Sequence, residues 1–409
     1  MSVSVPRTRL SPQAVVFAGC AIALISFGPR AAAGLFQVPM TSEYGWGRDV
    51  FGLALAIQNL CWGMGQPFAG AIADRFGAVR VFCAGGLLYA LGLVLMSYGT
   101  TPVLVHLGAG VLVGFGLSGC SGNLVISVFG KLLPESWRPM AFGASTAAGS
   151  LGQFLFLPTA SVLIDTVGWH QTLVGFAVIV LVILPLSLAL ATPRAEAKAA
   201  TGPAQSIPQA LAEAFRHRSY VLLVLGFFTC GFQLAFITVH LPAYLKDGGL
   251  STAVGGWTLA AIGLCNAVGS LGAGWLTGRM SRRWLLAWIY LGRSLAITVF
   301  ILLPLTPVTA IGFGAAMGFL WLSTVPPTSA LVMLMFGTRY MAMLFGFAFF
   351  SHQVGGFLGV YLGGVLYEMN GSYDLVWWLS VALGLASAAI NLPIREERVV
   401  REPALASAA

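Results

Sequence analysis

Apolar runs of about twenty residues recur twelve times along this chain, separated by short breaks of Gly, Pro and charge. Each is long enough for a helix to cross the roughly 30 Å hydrocarbon core of a bilayer. The runs cover residues 14–38, 50–72, 81–98, 103–128, 140–164, 170–192, 219–244, 252–276, 284–303, 308–333, 341–366 and 374–394. Lipid offers no partners to backbone amides, so segments of this kind are helical, and they lack the alternation of a membrane-spanning barrel. With only 8% of its residues charged, against roughly 25% in soluble proteins, the chain cannot be a water-soluble globule. The expected fold class is an all-α membrane protein of twelve transmembrane helices. The first span follows Pro6-Arg7-Thr8-Arg9, is longer than a signal peptide's apolar core and has no small-residue cleavage site, so it is read as retained.

The few charges fix an expected orientation. With the N-terminus in the cytoplasm, every Lys and Arg except Arg30, Arg48, Lys246 and Arg293 falls in a cytoplasmic segment. This obeys the positive-inside rule and predicts a multi-pass protein of the cytoplasmic (inner) membrane with both termini cytoplasmic. The formal charge of +8 therefore reports topology and not a nucleic-acid partner. The expected organisation is a tail at 1–13, a six-helix bundle at 14–192, a cytoplasmic linker at 193–218 rich in Ala, Pro and charge, a second bundle at 219–394 and a tail at 395–409. All six cysteines lie inside spans with no CxxC pair, and read as small hydrophobes. No metal site or cofactor is expected, and the protein is expected to work as a monomer.

The two bundles resemble each other at an offset of about 203 residues. Gly28 meets Gly231, Gly65 meets Gly269, Gly70 meets Gly274, Arg75 meets Arg279, Phe142-Gly143 meets Phe345-Gly346, Gly152 meets Gly355 and Gly168 meets Gly371. A register kept over most of each half points to a duplicated unit, an architecture of carriers whose site lies near the midplane between the halves.

The loop after the second span reads Gly70-Ala71-Ile72-Ala73-Asp74-Arg75-Phe76-Gly77-Ala78-Val79-Arg80. It resembles the signature between helices 2 and 3 of the major facilitator superfamily. That resemblance implies a secondary transporter working by alternating access, in which Gly70, Asp74, Arg75, Gly77 and Arg80 form a conformational latch. Chemically, Gly70 permits close helix approach, while Asp74 can hold a helix N-terminus or a basic partner. The second copy, Gly274 to Arg283, keeps the glycine and the basic charge but loses the acid.

Two charges remain inside spans. Arg30 lies about 16 residues, or roughly 24 Å, into the first span, and Arg293 about 10 residues, or roughly 15 Å, into the ninth. Each costs at least about 2.5 kcal/mol on insertion scales. All 13 acidic residues fall in loops and tails, so neither arginine has a carboxylate in its own layer. The natural partner is an anionic substrate, because guanidinium binds carboxylate through paired hydrogen bonds. In the superfamily helix 1 lines the central cavity and helix 9 is a peripheral support, so Arg30 is the stronger ligand candidate and Arg293 serves substrate or structure. Gln233 in the seventh span is the repeat counterpart of Arg30 and is expected to face it. Asn123 is a further candidate, alongside Gln58, Asn59, Asn266 and Thr324, amides and hydroxyls that can equally join two helices. His352, about mid-membrane in the eleventh span, is the candidate proton carrier, with His240 as its rival.

Arg30, Gly45-Trp46-Gly47-Arg48 and Ser351-His352-Gln353-Val354-Gly355-Gly356-Phe357-Leu358-Gly359 make the chain similar to the bacterial branch grouped with monocarboxylate transporters and oxalate:formate antiporters. Members of that branch commonly carry an arginine in helix 8, in some cases four residues after an aspartate. Here Ser270 and Asn266 stand at those positions. The expected cargo is a small organic anion, a monocarboxylate first, moved with a proton or against a counter-anion. Efflux of drugs or metalloids is the rival, with the cysteines as soft ligands, and a membrane enzyme or sensor on the same scaffold is the next. No HExxH, GxSxG or phosphate-binding GxxxxGK[ST] motif is present.

Overall fold

The computed structural model describes residues 10–46, 48–191 and 205–399; Arg7, Arg9 and the charges of 193–204 and 400–409 lie outside the described residues. The spans are α1 (Pro12–Phe36), α2 (Arg48–Phe76), α3 (Ala78–Tyr98), α4 (Pro102–Leu132), α5 (Arg138–Val167) and α6 (Trp169–Leu188) in the first half. The second half has α8 (Arg218–Asp247), α9 (Thr252–Thr277), α10 (Arg282–Leu302), α11 (Pro307–Phe336), α12 (Met341–Asn370) and α13 (Asp374–Asn391). Eleven are long and apolar enough to cross a membrane by length and composition; α2 completes the set with 29 residues and carries Gln58, Asn59 and Gln66. Their bounds lie within a few residues of the expected runs, because local chemistry marks them. Ser11, Thr101 and Thr306 each cap a helix that begins with proline, whose missing N–H costs nothing there.

The stretch read as linker contains a helix, α7 (Ile207–Arg216), opened by a reciprocal capping box between Ser206 and Gln209. It is tied to the second half through Gln205, whose carbonyl accepts from the Tyr340 hydroxyl at 2.6 Å. We call the side of the molecule carrying α7 the linker face.

The repeat is realised as packing. A Cβ at Gly152 would collide with the Leu24 carbonyl, and one at Gly355 with the Phe228 carbonyl, so α5 rides on α1 as α12 rides on α8. Gly65 and Gly269 make the corresponding approaches of α2 to α4 and of α9 to α11. Gly168 (φ 84°) and Gly371 (φ 69°) both end the fifth helix of their half in the left-handed region that favours glycine.

The halves meet along the linker-face side of the molecule. Gly70 abuts the Ala342–Met343 backbone, and its repeat mate Gly274 abuts Pro139 and Gly143. The Asp74 side chain is fully buried and satisfies both roles open to it: Lys131 Nζ lies 2.5 Å away, and the Met343 N–H at the start of α12 donates to it at 3.0 Å. Arg75 lies over the Phe76 ring at 5.1 Å, and Arg80 is exposed. Hydrogen bonds cross between the halves at three levels, Asp74 to Met343, Ser150 to Asn266 and Asn59 to Gln353. Among the described residues, the close glycine approaches between halves lie on the linker-face side of the Asn59 level. The halves are thus held together on the linker-face side, around a cavity of about 410 Å³ bordered by Arg138, Phe142, Arg282 and Met333. Asp74→Asn leaves Lys131 without its counter-charge and should loosen this contact. A cysteine placed at Met333, which packs on Gly130 across the interface, should then alkylate on the order of tenfold faster; an unchanged rate would remove Asp74 from the latch.

The chain after α13 is fastened to the same face. Glu396 accepts from Ser281 Oγ (2.5 Å), the Arg283 N–H (2.9 Å) and Arg282 (3.2 Å). Burial works to raise its pKa, but these donors outweigh it and hold the carboxyl below the usual carboxylate range.

Candidate functional site

Arg30 follows Pro29 near the end of α1, where the helix tightens into a single 3-10 turn over Ala33–Phe36. Its Nη2 donates to Asn59 Oδ1 at 2.6 Å, and its guanidinium lies 4.8 Å from the Trp62 ring and 5.5 Å from Phe27. Asn59 and Trp62, three residues apart on one face of α2, therefore hold the cation by hydrogen bond and by ring face. Nε is buried with no hydrogen-bond partner, and no described ion pair involves Arg30. An unmade buried hydrogen bond costs about 1–3 kcal/mol, so Arg30 is a guanidinium with unspent capacity for an acceptor. Behind it, Gln58 and the fully buried Tyr89 border a pocket with room for about one water.

From Asn59 the polar contacts continue into the second half. The Asn59 carbonyl accepts from Gln353 Nε2 at 3.3 Å, and Gln353 Oε1 lies 3.1 Å from His352 Nδ1. A ring contact runs beside them: Trp62 packs on Phe349 at 4.8 Å, and Phe349 stacks on the His352 ring at 5.5 Å. Arg30 and His352, picked out separately in the sequence, are thereby linked through two residues by amides and through two by rings.

Arg293 serves a different purpose. α11 breaks over Trp321–Thr324, leaving the Leu320 and Trp321 carbonyls without helical donors. Arg293 fills this gap. Its Nε donates to Leu320 O at 3.0 Å and its Nη2 to Leu320 O at 2.6 Å and to Trp321 O. Asn266 satisfies the other side of the break by accepting from the Leu322 N–H at 3.0 Å, while its Nδ2 reaches Ser150 in the first half at 2.5 Å. Unwound backbone at this depth persists only when such groups are met.

Gln233 was expected to face Arg30 across a cavity. It is 0% exposed instead, with Nε2 donating to Ser380 O at 3.0 Å and Oε1 accepting from Arg293 Nη1 at 3.4 Å. Both amide ends are used inside the second half, and Arg293, also 0% exposed, points at backbone and not at a cavity. His240 sits between Val360 O (Nε2, 3.0 Å) and the Tyr373 hydroxyl (Nδ1, 3.3 Å), an arrangement that satisfies a neutral imidazole at both nitrogens. Asn123 opens the lower half of α4, which breaks at Ser121 just as α11 breaks at Thr324 one repeat later. Its Nδ2 is buried without a partner. Gly122 packs on Ala23, seven residues from Arg30 along α1, so Asn123 lies roughly 10 Å further toward the linker face.

The structure thus brings together Arg30, Asn59 and His352 and separates Gln233, Arg293 and His240 from them. Trp62 and Phe349 were missed, since a ring in an apolar span reads as packing; the spacing of Trp62 from Asn59 was the available signal. Cys230 was read as a small hydrophobe, yet its Sγ lies 3.3 Å from Thr324 Oγ1 and 3.5 Å from Arg293 Nη2.

The family profile of the Major Facilitator Superfamily matches residues 18–360, with a second match over 246–408. The chain is 27% identical to the uncharacterized MFS-type transporter YcxA of Bacillus subtilis, covering 93% of this chain and 94% of that one. It is 26% identical to human monocarboxylate transporter 11 over 95% of this chain and 86% of that one. Among solved structures, the fucose:proton symporter FucP of E. coli superposes with a TM-score of 0.72 at 17% identity, covering 92% of this chain and 98% of that one. A second structure of FucP, described as in the outward conformation, gives a TM-score of 0.71.

Proposed function

The chain belongs to the Major Facilitator Superfamily of membrane transporters, and from that premise we propose that it carries a small organic anion, a monocarboxylate, by alternating access of its two halves. The observation that carries this reading is Arg30: a mid-membrane guanidinium with no carboxylate partner and an unused buried N–H. An incoming carboxylate takes that Nε together with the Nη2 that Asn59 now occupies, a fork that matches its two oxygens. Trp62 and Phe27 form the apolar wall, and Asn123 offers a deeper donor on the path toward the linker face. The linker face is the cytoplasmic face of the inner membrane, a placement supported by the concentration of basic residues there.

Breaking the Arg30–Asn59 bond frees the Asn59 side chain, and Gln353 holds the neighbouring carbonyl. Anion arrival is thus transmitted to His352, which balances the charge with a proton. Arg293 and Gln233 support the reading from behind, by fixing the α11 break.

Uptake into proteoliposomes is the test. Labelled lactate, pyruvate, formate and oxalate should enter in preference to a cationic dye or arsenite, and an inward proton gradient should accelerate entry. His352→Gln should abolish that acceleration while leaving exchange of internal for external anion intact. Transport of dye or arsenite with no anion flux would overturn the reading in favour of an efflux carrier.

A further inference from the structure

We propose that the linker-face cavity between the halves is a second anion site, for a ligand bearing a phosphate group, and that its occupant fastens the halves together. The cavity encloses about 410 Å³ and lies well away from Arg30. Met333, one of its lining residues, packs on Gly130, as does Met341. Gly130 is seven residues beyond Asn123 along α4, roughly 10 Å further toward the linker face. A ligand can therefore enter from the linker face without meeting Arg30. Both halves supply the walls: Glu135 and Arg138 come from the start of α5 and the chain before it, Arg282 from the start of α10, and Arg398 from the chain after α13.

The arginines are held in place by their surroundings. Arg138 Nε donates to Leu133 O at 3.0 Å. Arg282 Nη1 donates to Glu396 Oε2 at 3.2 Å, while its Nε is buried with no hydrogen-bond partner. The chain carrying Arg398 is anchored where the Val399 N–H donates to Met335 O at 3.0 Å. Among the described residues around the cavity, three guanidiniums thus meet two carboxylates, Glu135 and Glu396, and a cleft between low-dielectric walls focuses the excess positive charge. A guanidinium fork binds either a carboxylate or a phosphate. One fork satisfies the planar pair of oxygens on a monocarboxylate, whereas forks arriving from two separate halves need oxygens that fan out, as those of a tetrahedral phosphate do. The volume exceeds what a bare ion fills, and Phe142, Met333 and Phe336 line part of it, which suits a phosphate ester. Such an ester is either a soluble molecule or a lipid headgroup, since basic pockets between membrane helices also hold headgroups. Because Arg138 and Arg282 belong to different halves, the ligand favours the joined arrangement and stabilises it.

Thermal unfolding of the detergent-purified full chain is the test, and it uses no monocarboxylate, so its failure is distinct from failure of the transport reading. Glycerol 3-phosphate, compared with chloride at equal ionic strength, should raise the apparent melting temperature saturably by about 2–5 °C. The shift should vanish in Arg138→Gln and fall by at least about half in Arg398→Gln. Arg398 is exposed, so its variant remains informative should Arg138→Gln fail to fold. A shift with phosphatidylglycerol over phosphatidylcholine in mixed micelles, and none with glycerol 3-phosphate, assigns the site to a lipid headgroup; a shift with glycerol 3-phosphate assigns it to a soluble ester. No shift with either probe, or one unchanged in both variants, would overturn the site. Asp74→Asn loosens the contact between the halves from outside the cavity, so it should weaken the apparent affinity for the effective probe about twofold or more. Unchanged affinity in that variant would overturn the fastening of the halves.

Discussion

Arg30→Gln should reduce the transport efficiency for a monocarboxylate, Vmax/KM, by at least about 100-fold, the equivalent of roughly 2.7 kcal/mol. The amide keeps a donor near Asn59 and enough bulk to cover Trp62, so the helix packing survives. What it loses is the charge and the paired N–H geometry, and with them the orphaned Nε that makes this position receptive to an anion. Arg30→Lys is the sharper comparison. It keeps the charge but loses the fork and the flat face over Trp62, so activity should fall roughly tenfold, between wild type and the glutamine variant. Equal activity of the lysine and wild-type proteins would mean that only a positive potential is needed there.

Arg293→Leu should act on a different quantity. It leaves the Leu320 and Trp321 carbonyls without donors at a helix break in the membrane, a penalty of about 2–6 kcal/mol for two buried acceptors. The expected outcome is a lower yield of folded protein and an apparent melting temperature reduced by more than about 5 °C, measured in detergent by fluorescence. The fraction that folds should keep the wild-type KM. If the melting temperature were unchanged while KM rose, Arg293 would belong to the binding site after all. The two arginines looked alike in the sequence, each a cation without a carboxylate in its layer. The structure separates them by what their N–H groups meet: Arg293 spends its donors on backbone carbonyls, Gln233 and Cys230, and Arg30 keeps one in reserve.

The same contrast explains how much of the molecule could be read in advance. The spans were legible because lipid imposes one rule on every backbone amide, and because Ser11, Thr101 and Thr306 with their following prolines mark helix starts. The repeat was legible because helices in a membrane approach through small residues, so Gly65, Gly70, Gly152 and their mates are fixed by contact and not by composition. The linker helix was obscured by its charge and alanine, although Ser206 and Gln209 carried a capping signal. Side-chain direction was the hidden part. Symmetry placed Gln233 at the same level as Arg30, but direction depends on which neighbour needs a donor. The break in α11 over Trp321–Thr324 turns Arg293 to the freed carbonyls, and Gln233 meets it there. Asn266 and Ser270 illustrate the point from the other side: at positions where relatives in the resembled branch carry charge, this chain has an amide and a hydroxyl, bonded at 3.1 Å and tying α9 to α11 and α5.

The central claim is that Arg30 holds an anion beside Trp62, and binding tests it without requiring turnover. Trp62 lies 4.8 Å from the guanidinium, so displacement of Arg30 toward a ligand should change tryptophan fluorescence. Titrating lactate into purified wild-type protein should give a saturable change that chloride at equal ionic strength does not reproduce. The change should be absent in Arg30→Gln over the same range. Saturable lactate binding of equal affinity in wild type and Arg30→Gln would contradict the account directly.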